Sequence, residues 1–139
     1  MLNFDLVMFD LDGTLIQTSP EIADAINDAL RELGLPEVKE QQVRDWIGHG
    51  TRDLLSQAIA FGTGVLAQAV RDASEFPAQV AVFDKHYHQR CGTRSELFPQ
   101  VRETLIALRE RGIKLAIATN KEARFTKPVL DFHQMHALF

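Results

Sequence analysis

The chain has 139 residues, 45% hydrophobic and 24% charged, with a net charge of -4 and one cysteine. That composition fits one globular domain and excludes collagen-like, low-complexity and polyelectrolyte classes. The acidic balance provides no general field for nucleic acid or an anionic membrane, so an anionic ligand must be held by local donors.

Cys91 has no second cysteine to pair with, which suits a reducing compartment. The N-terminal stretch MLNFDLVMFD has no basic region and no cleavage-like segment. No apolar run approaches the roughly 20 residues of a membrane span. A cytoplasmic protein with neither nucleic-acid nor membrane partners is the expectation.

The apolar run Phe4 to Phe9 predicts one buried strand, ended by Asp10, Asp12 and Gly13. TSPEIADAINDALRELG predicts an amphipathic helix: Ser19 as N-cap, Pro20 in the first turn, Gly34 as the stop, and Ile22, Ile26, Leu30 and Leu33 on one stripe. Two short helices divided by Gly48 and Gly50 follow, using Val43, Trp46 and Ile47, then Leu54, Leu55, Ala58 and Ile59. A third pattern carries Val65, Leu66, Ala69, Val70 and Ala73, and a fourth after Pro77 carries Val80, Phe83 and Tyr87. No convincing strand is visible between about Gln17 and Cys91, so this stretch reads as a small all-helical unit.

The character then changes. FPQVRETLIALRERG is a helix with Val101, Leu105 and Leu108 on one face, closed by Gly112. Ile113 to Asn120 is an apolar strand ending in Thr-Asn, and a last helix starts near Thr126 or Lys127, because Pro128 belongs in a first turn. Two apolar strands joined through helices imply a parallel pair. The fold class is therefore α/β: an incomplete Rossmann-like parallel-sheet core (residues 1–16 and 93–139) with an inserted all-helical cap (residues 17–92).

In open α/β sheets, ligands bind beyond the carboxyl ends of the strands. Asp10, Asp12 and Thr14 stand at one such end, Thr119 and Asn120 at the other. Two neighbouring carboxylates are unfavourable without a cation or a shared proton. Mg²⁺ accepts one or two carboxylates together with a substrate phosphate. A carboxylate can also attack phosphorus, and a second can transfer protons. Asp-x-Asp-Gly on its own is more often a solvated turn. A calcium loop fails, because Leu15 to Glu21 supplies no spaced acidic series.

FDLDGTL, the helical insert and AIATN together resemble the haloacid dehalogenase-like phosphohydrolases, most nearly the helical-cap phosphoglycolate phosphatase branch. The resemblance runs over the whole chain but covers only the front part of such an enzyme. It implies a Mg²⁺-dependent phosphatase acting on a small phosphorylated metabolite such as 2-phosphoglycolate. Asp10 would be nucleophile and metal ligand, forming a phosphoaspartate; Asp12 would be acid-base residue and offer its carbonyl to the metal. Thr119 would hydrogen-bond the phosphoryl group, with the Asn120 amide beside it. The IGHGTRD turn resembles the loop that closes over substrate, where Gly48, Gly50 and Arg52 would help select it.

The family also uses a lysine that screens nucleophile and phosphate, and a later acidic pair that completes the metal site. Neither Lys121 nor Lys127 has that lysine's place along the chain, and the only acids after Thr119 are Glu122 and Asp131. A truncated phosphatase is the expectation. A sugar phosphomutase of the same superfamily, or an inactive binding or oligomerising module, stands as the alternative. His86, His88 and Cys91 read as ordinary polar and packing residues, not a zinc site. His49 reads as solvent-exposed.

Overall fold

The computed structural model describes residues 3–139; Met1 and Leu2, which open the expected core segment, lie outside the described residues. Strand β1 (Leu6–Phe9) pairs in parallel with β4 (Lys114–Ile117), in the register Leu6 to Lys114 and Phe9 to Ile117. Helix α6 (Val101–Glu110) leads into β4, and α7 (Ala123–Phe132) follows it. Leu11, Leu15, Leu105, Ile113, Leu115, Val129 and Met135 form the apolar centre of this half, with Val7 and Phe9 against it.

β1 is not the buried strand that its composition predicts. Its inward face is half-buried, but Leu6 and Met8 are 48% and 64% exposed on the other. Among the described residues β4 is its only pairing partner, so one edge and one face have nothing against them.

Five helices lie between β1 and α6: α1 (Ser19–Glu32), α2 (Glu40–Trp46), α3 (Thr51–Thr63), α4 (Ala67–Asp72) and α5 (Phe76–Arg90). α1 buries Ile22, Ala25, Ile26, Ala29 and Leu30 against Val43, Leu55, Ala58, Phe76 and Phe83. Each fully buried Leu, Ile or Phe here contributes about 1.5–3 kcal/mol. Asp28 and Arg90 join α1 to α5 by a two-point contact of 2.8 and 3.2 Å. The Arg90 guanidinium and its hydrogen bonds hold the Asp28 carboxyl below its usual range.

Four further sequence expectations need correction. Thr18, not Ser19, is the N-cap residue of α1; the Ser19 hydroxyl donates to Glu40 at 3.0 Å. α4 is only six residues long and buries Val70 alone, while Leu66 is 79% exposed. α7 begins at Ala123, with Pro128 well inside it. Burial of Phe125, Val129 and Leu130 along one face outweighs the missing Pro128 donor.

The fourth concerns strands. β2 (Ile16–Gln17) pairs antiparallel with β3 (Glu96–Leu97), where the sequence suggests none. This two-residue ribbon sits where the chain enters and leaves the helical stretch. Beside it the fully buried Glu21 carboxylate accepts the Gly92 N–H at 2.8 Å and the Arg94 N–H at 3.3 Å. Cys91 caps α5 close to Phe125 O, and burial pushes its thiol up to about 12.

Candidate active site

β1 and β4 stop side by side, as Ala118 N–H donating to Phe9 O at 2.8 Å shows. The chain then leaves β1 in a turn gathered on one carbonyl: Leu11 O accepts from Thr14, Leu15 and Ile16. Leu11 is fully buried and anchors the turn. Asp10 and Asp12, its neighbours in sequence, line one cavity of about 30 Å³ with Thr119, Asn120 and Lys121 from the end of β4. The helical stretch supplies the roof: Gly48, Gly50, Thr51 and Leu54 from the α2–α3 region, and Tyr87 from α5.

Six of the seven residues to which the resemblance gives a role thus surround one space: Asp10, Asp12, Gly48, Gly50, Thr119 and Asn120. Arg52 does not line it. As the second residue of α3 it turns outward, and its guanidinium lies 5.2 Å from the centre of the Phe76 ring. Thr14 faces a separate cleft with Phe9 and Gln100. The Asn120 amide nitrogen donates to Gly48 O at 2.7 Å, so that side chain ties the strand end to the roof. Thr51 makes a second tie, donating to Glu122 at 2.5 Å. Thr119 Oγ1 accepts the Lys121 N–H at 3.1 Å, which leaves its own O–H as a donor.

Lys121, which the sequence sets aside because it does not have the family lysine's place along the chain, is at the centre of this site. Its side chain is 2% exposed, and Nζ lies 2.9 Å from Asp12 Oδ1. Nζ also sits 5.0 Å from the centre of the Tyr87 ring, which stacks on Phe125 at 4.5 Å. An isolated buried ammonium would be very costly; the carboxylate and the ring face offset its desolvation. Burial drives the Tyr87 phenol well above its usual range, with the Asp12 charge adding to it, so Tyr87 serves here as a neutral ring. A usable signal was present: a strand ending Thr-Asn-Lys places a long cation beside the hydroxyl.

Asp10 and Asp12 are oxygen donors of the kind a hard cation takes. No cluster of three or more acids, histidines and cysteines able to hold a metal occurs among the described residues. Two carboxylates are within the one or two that a Mg²⁺ accepts beside water and a substrate phosphate.

A model of the haloacid dehalogenase-like hydrolase family matches residues 7–139. The chain belongs to that family. It is 37% identical over 134 residues to a phosphoglycolate phosphatase of Aliivibrio fischeri, covering 96% of this chain and 58% of that protein. With a phosphoglycolate phosphatase of Vibrio cholerae it shares 36% identity over 140 residues, covering 100% of this chain and 61% of the relative. The chain thus spans about three fifths of the length of these relatives.

The crystal structure of a predicted phosphoglycolate phosphatase from Haemophilus somnus superposes with a TM-score of 0.89 at 36% identity, over all of this chain and 61% of that one. A predicted phosphatase from Clostridium acetobutylicum has the same fold, with a TM-score of 0.79 at 18% identity, over 98% of this chain and 58% of its own. Among the described residues no helix is long and apolar enough to cross a membrane.

Proposed function

We propose that this site hydrolyses a small phosphomonoester such as 2-phosphoglycolate through a phosphoaspartate on Asp10. The observation that carries the reading is the convergence of Asp10, Asp12 and Thr119 on one roofed cavity at adjacent ends of two parallel strands. Phosphoryl transfer asks a protein mainly for positioning and charge stabilisation, and the residues divide those tasks.

In the first half-reaction an Asp10 carboxylate oxygen bonds to phosphorus as the ester P–O bond breaks. Asp12, protonated, passes its proton to the departing oxygen, and the alcohol leaves neutral. In the second, water loses a proton to Asp12 as its oxygen bonds to phosphorus and the Asp10–phosphorus bond breaks. Phosphate leaves, and both aspartates return to their starting states. The Thr119 O–H donates to a phosphoryl oxygen throughout. Asp10 and the Asp12 carbonyl would hold Mg²⁺, which supplies charge neutralisation to the phosphoryl oxygens.

The Gly48–Gly50 loop roofs the cavity, and its lifting would widen the way in for substrate. The ties from Asn120 and Thr51 are the contacts that such opening breaks.

The test is phosphate release from 2-phosphoglycolate and a panel of hexose phosphates, with Mg²⁺ and with chelator. Turnover that needs Mg²⁺ and disappears in Asp10→Asn supports the reading. Isomerised sugar phosphate in place of free phosphate would identify a mutase. Full activity in Asp10→Asn would dispose of the covalent route.

A further inference from the structure

We propose that Lys121 is a positioning residue for Asp12: together with Thr18 it holds Oδ1, so that Oδ2 alone faces the reacting oxygen. The inference rests on the acid-base role given to Asp12 above.

Asp12 stands on a turn beyond the strand, where a carboxylate could rotate freely. Two donors from different parts of the chain prevent this. The Thr18 hydroxyl donates to Oδ1 at 2.6 Å, and Lys121 Nζ donates to the same atom at 2.9 Å. Neither contact involves Oδ2. A carboxylate fixed at one oxygen by a charged and a neutral donor has its plane set and its other oxygen assigned.

The donors are themselves held. Thr18 is fully buried, and its side chain makes no helix-capping hydrogen bond although it occupies the N-cap of α1. Its hydroxyl is committed to Asp12 instead. The Lys121 ammonium is confined between Asp12 and the Tyr87 ring. Tyr87 belongs to the helical roof and Lys121 to the sheet end, so the roof's position enters the orientation of Asp12.

A lysine that acted on the phosphoryl group would matter equally for every ester. One that acts through Asp12 matters where the departing oxygen needs a proton. Glycolate is a poor leaving group, and p-nitrophenolate departs without protonation. Lys121→Met should therefore lower kcat for 2-phosphoglycolate by about 100-fold, with KM changed by no more than about twofold. For p-nitrophenyl phosphate the fall should be under about tenfold.

In an Asp12→Asn background, adding Lys121→Met should change kcat by less than about twofold, since the group it positions is already gone. Thr18→Val removes the other donor and leaves α1 without loss of a cap bond; it should show the same dependence on leaving group. Equal losses on both esters, or a further large loss in the Asp12→Asn background, overturn the proposal. Turnover surviving in Asp10→Asn would overturn the phosphoaspartate route separately. A crystal structure of Lys121→Met reads the same claim without turnover: the Asp12 carboxylate should leave its contact with Thr18 or occupy a second rotamer. An unchanged carboxylate overturns the proposal even if the chain hydrolyses nothing.

Discussion

Gly92 joins the helical roof to the sheet half, and Gly92→Ala should be among the most damaging single-methyl additions to this chain. Gly92 has φ +77, and a Cβ built there falls 2.9 Å from Phe132 Cβ and 3.4 Å from Pro128 O. The left-handed conformation costs a non-glycine residue about 1–2 kcal/mol. A contact under 3 Å with a Cβ cannot be relieved by turning a side chain, because that atom moves only with the α7 backbone. Overpacking of this kind costs about 1–3 kcal/mol. The expected loss is about 2–5 kcal/mol, read as a drop in the urea midpoint with an unchanged m-value.

Gly34→Ala provides the internal comparison. Its φ is +70 and nothing lies within 4 Å of the added Cβ, so only the conformational cost of about 1–2 kcal/mol applies. Equal losses at the two positions would refute the steric reasoning. A loss at Gly92 under about 0.5 kcal/mol would refute the packing of α7 against the α5 exit as well.

Glu21→Leu leaves the buried Gly92 amide and the part-buried Arg94 amide without their acceptor, and the loss should be about 2–4 kcal/mol by chemical denaturation. Burial holds the His133 imidazole below its ordinary range beside Ser95, so the folded state favours the neutral ring. Its contribution is therefore complete above the unfolded histidine range near pH 6.5 and is lost as pH falls through the lower folded value. Urea midpoints across that window should fall toward acid in wild type and less so in His133→Asn. Asn120→Ala removes the tie to Gly48 O, and amide exchange in the loop from Gly48 to Thr51 should rise by about 2–10-fold. Exchange unchanged there would mean that the roof is held by other contacts.

Much of the site is legible in the sequence because strand ends are easy to find and open α/β sheets place ligands there. Asp10, Asp12 and Thr119 follow from two apolar runs and the residues that end them. Lys121 did not follow, because its reach across the site depends on a four-carbon stem and the parallel register of β1 with β4. The Thr-Asn-Lys strand end places a cation near the hydroxyl but does not show that it reaches Asp12. Arg52 differs for another reason: the resemblance places the whole IGHGTRD turn over the substrate, whereas the first turn of α3 takes the Arg52 guanidinium to the Phe76 ring.

The two-residue strands β2 and β3 are too short to show periodicity, so the ribbon at the roof's base could not be seen. Pro128 misled the start of α7 because a local rule was applied where Phe125, Val129 and Leu130 supply tertiary burial. The exposed outer face of β1 was equally invisible, since Leu6 and Met8 are what a buried strand would also carry.

The account depends most on Asp10 becoming phosphorylated. Incubation of the chain with Mg²⁺ and 2-phosphoglycolate, a rapid quench, borohydride reduction and peptide mapping reads this directly, because borohydride converts a phosphoaspartate to homoserine. Homoserine at Asp10, absent without substrate, is the predicted result. Phosphate turned over with Asp10 unmodified, or homoserine at another aspartate, would contradict the account.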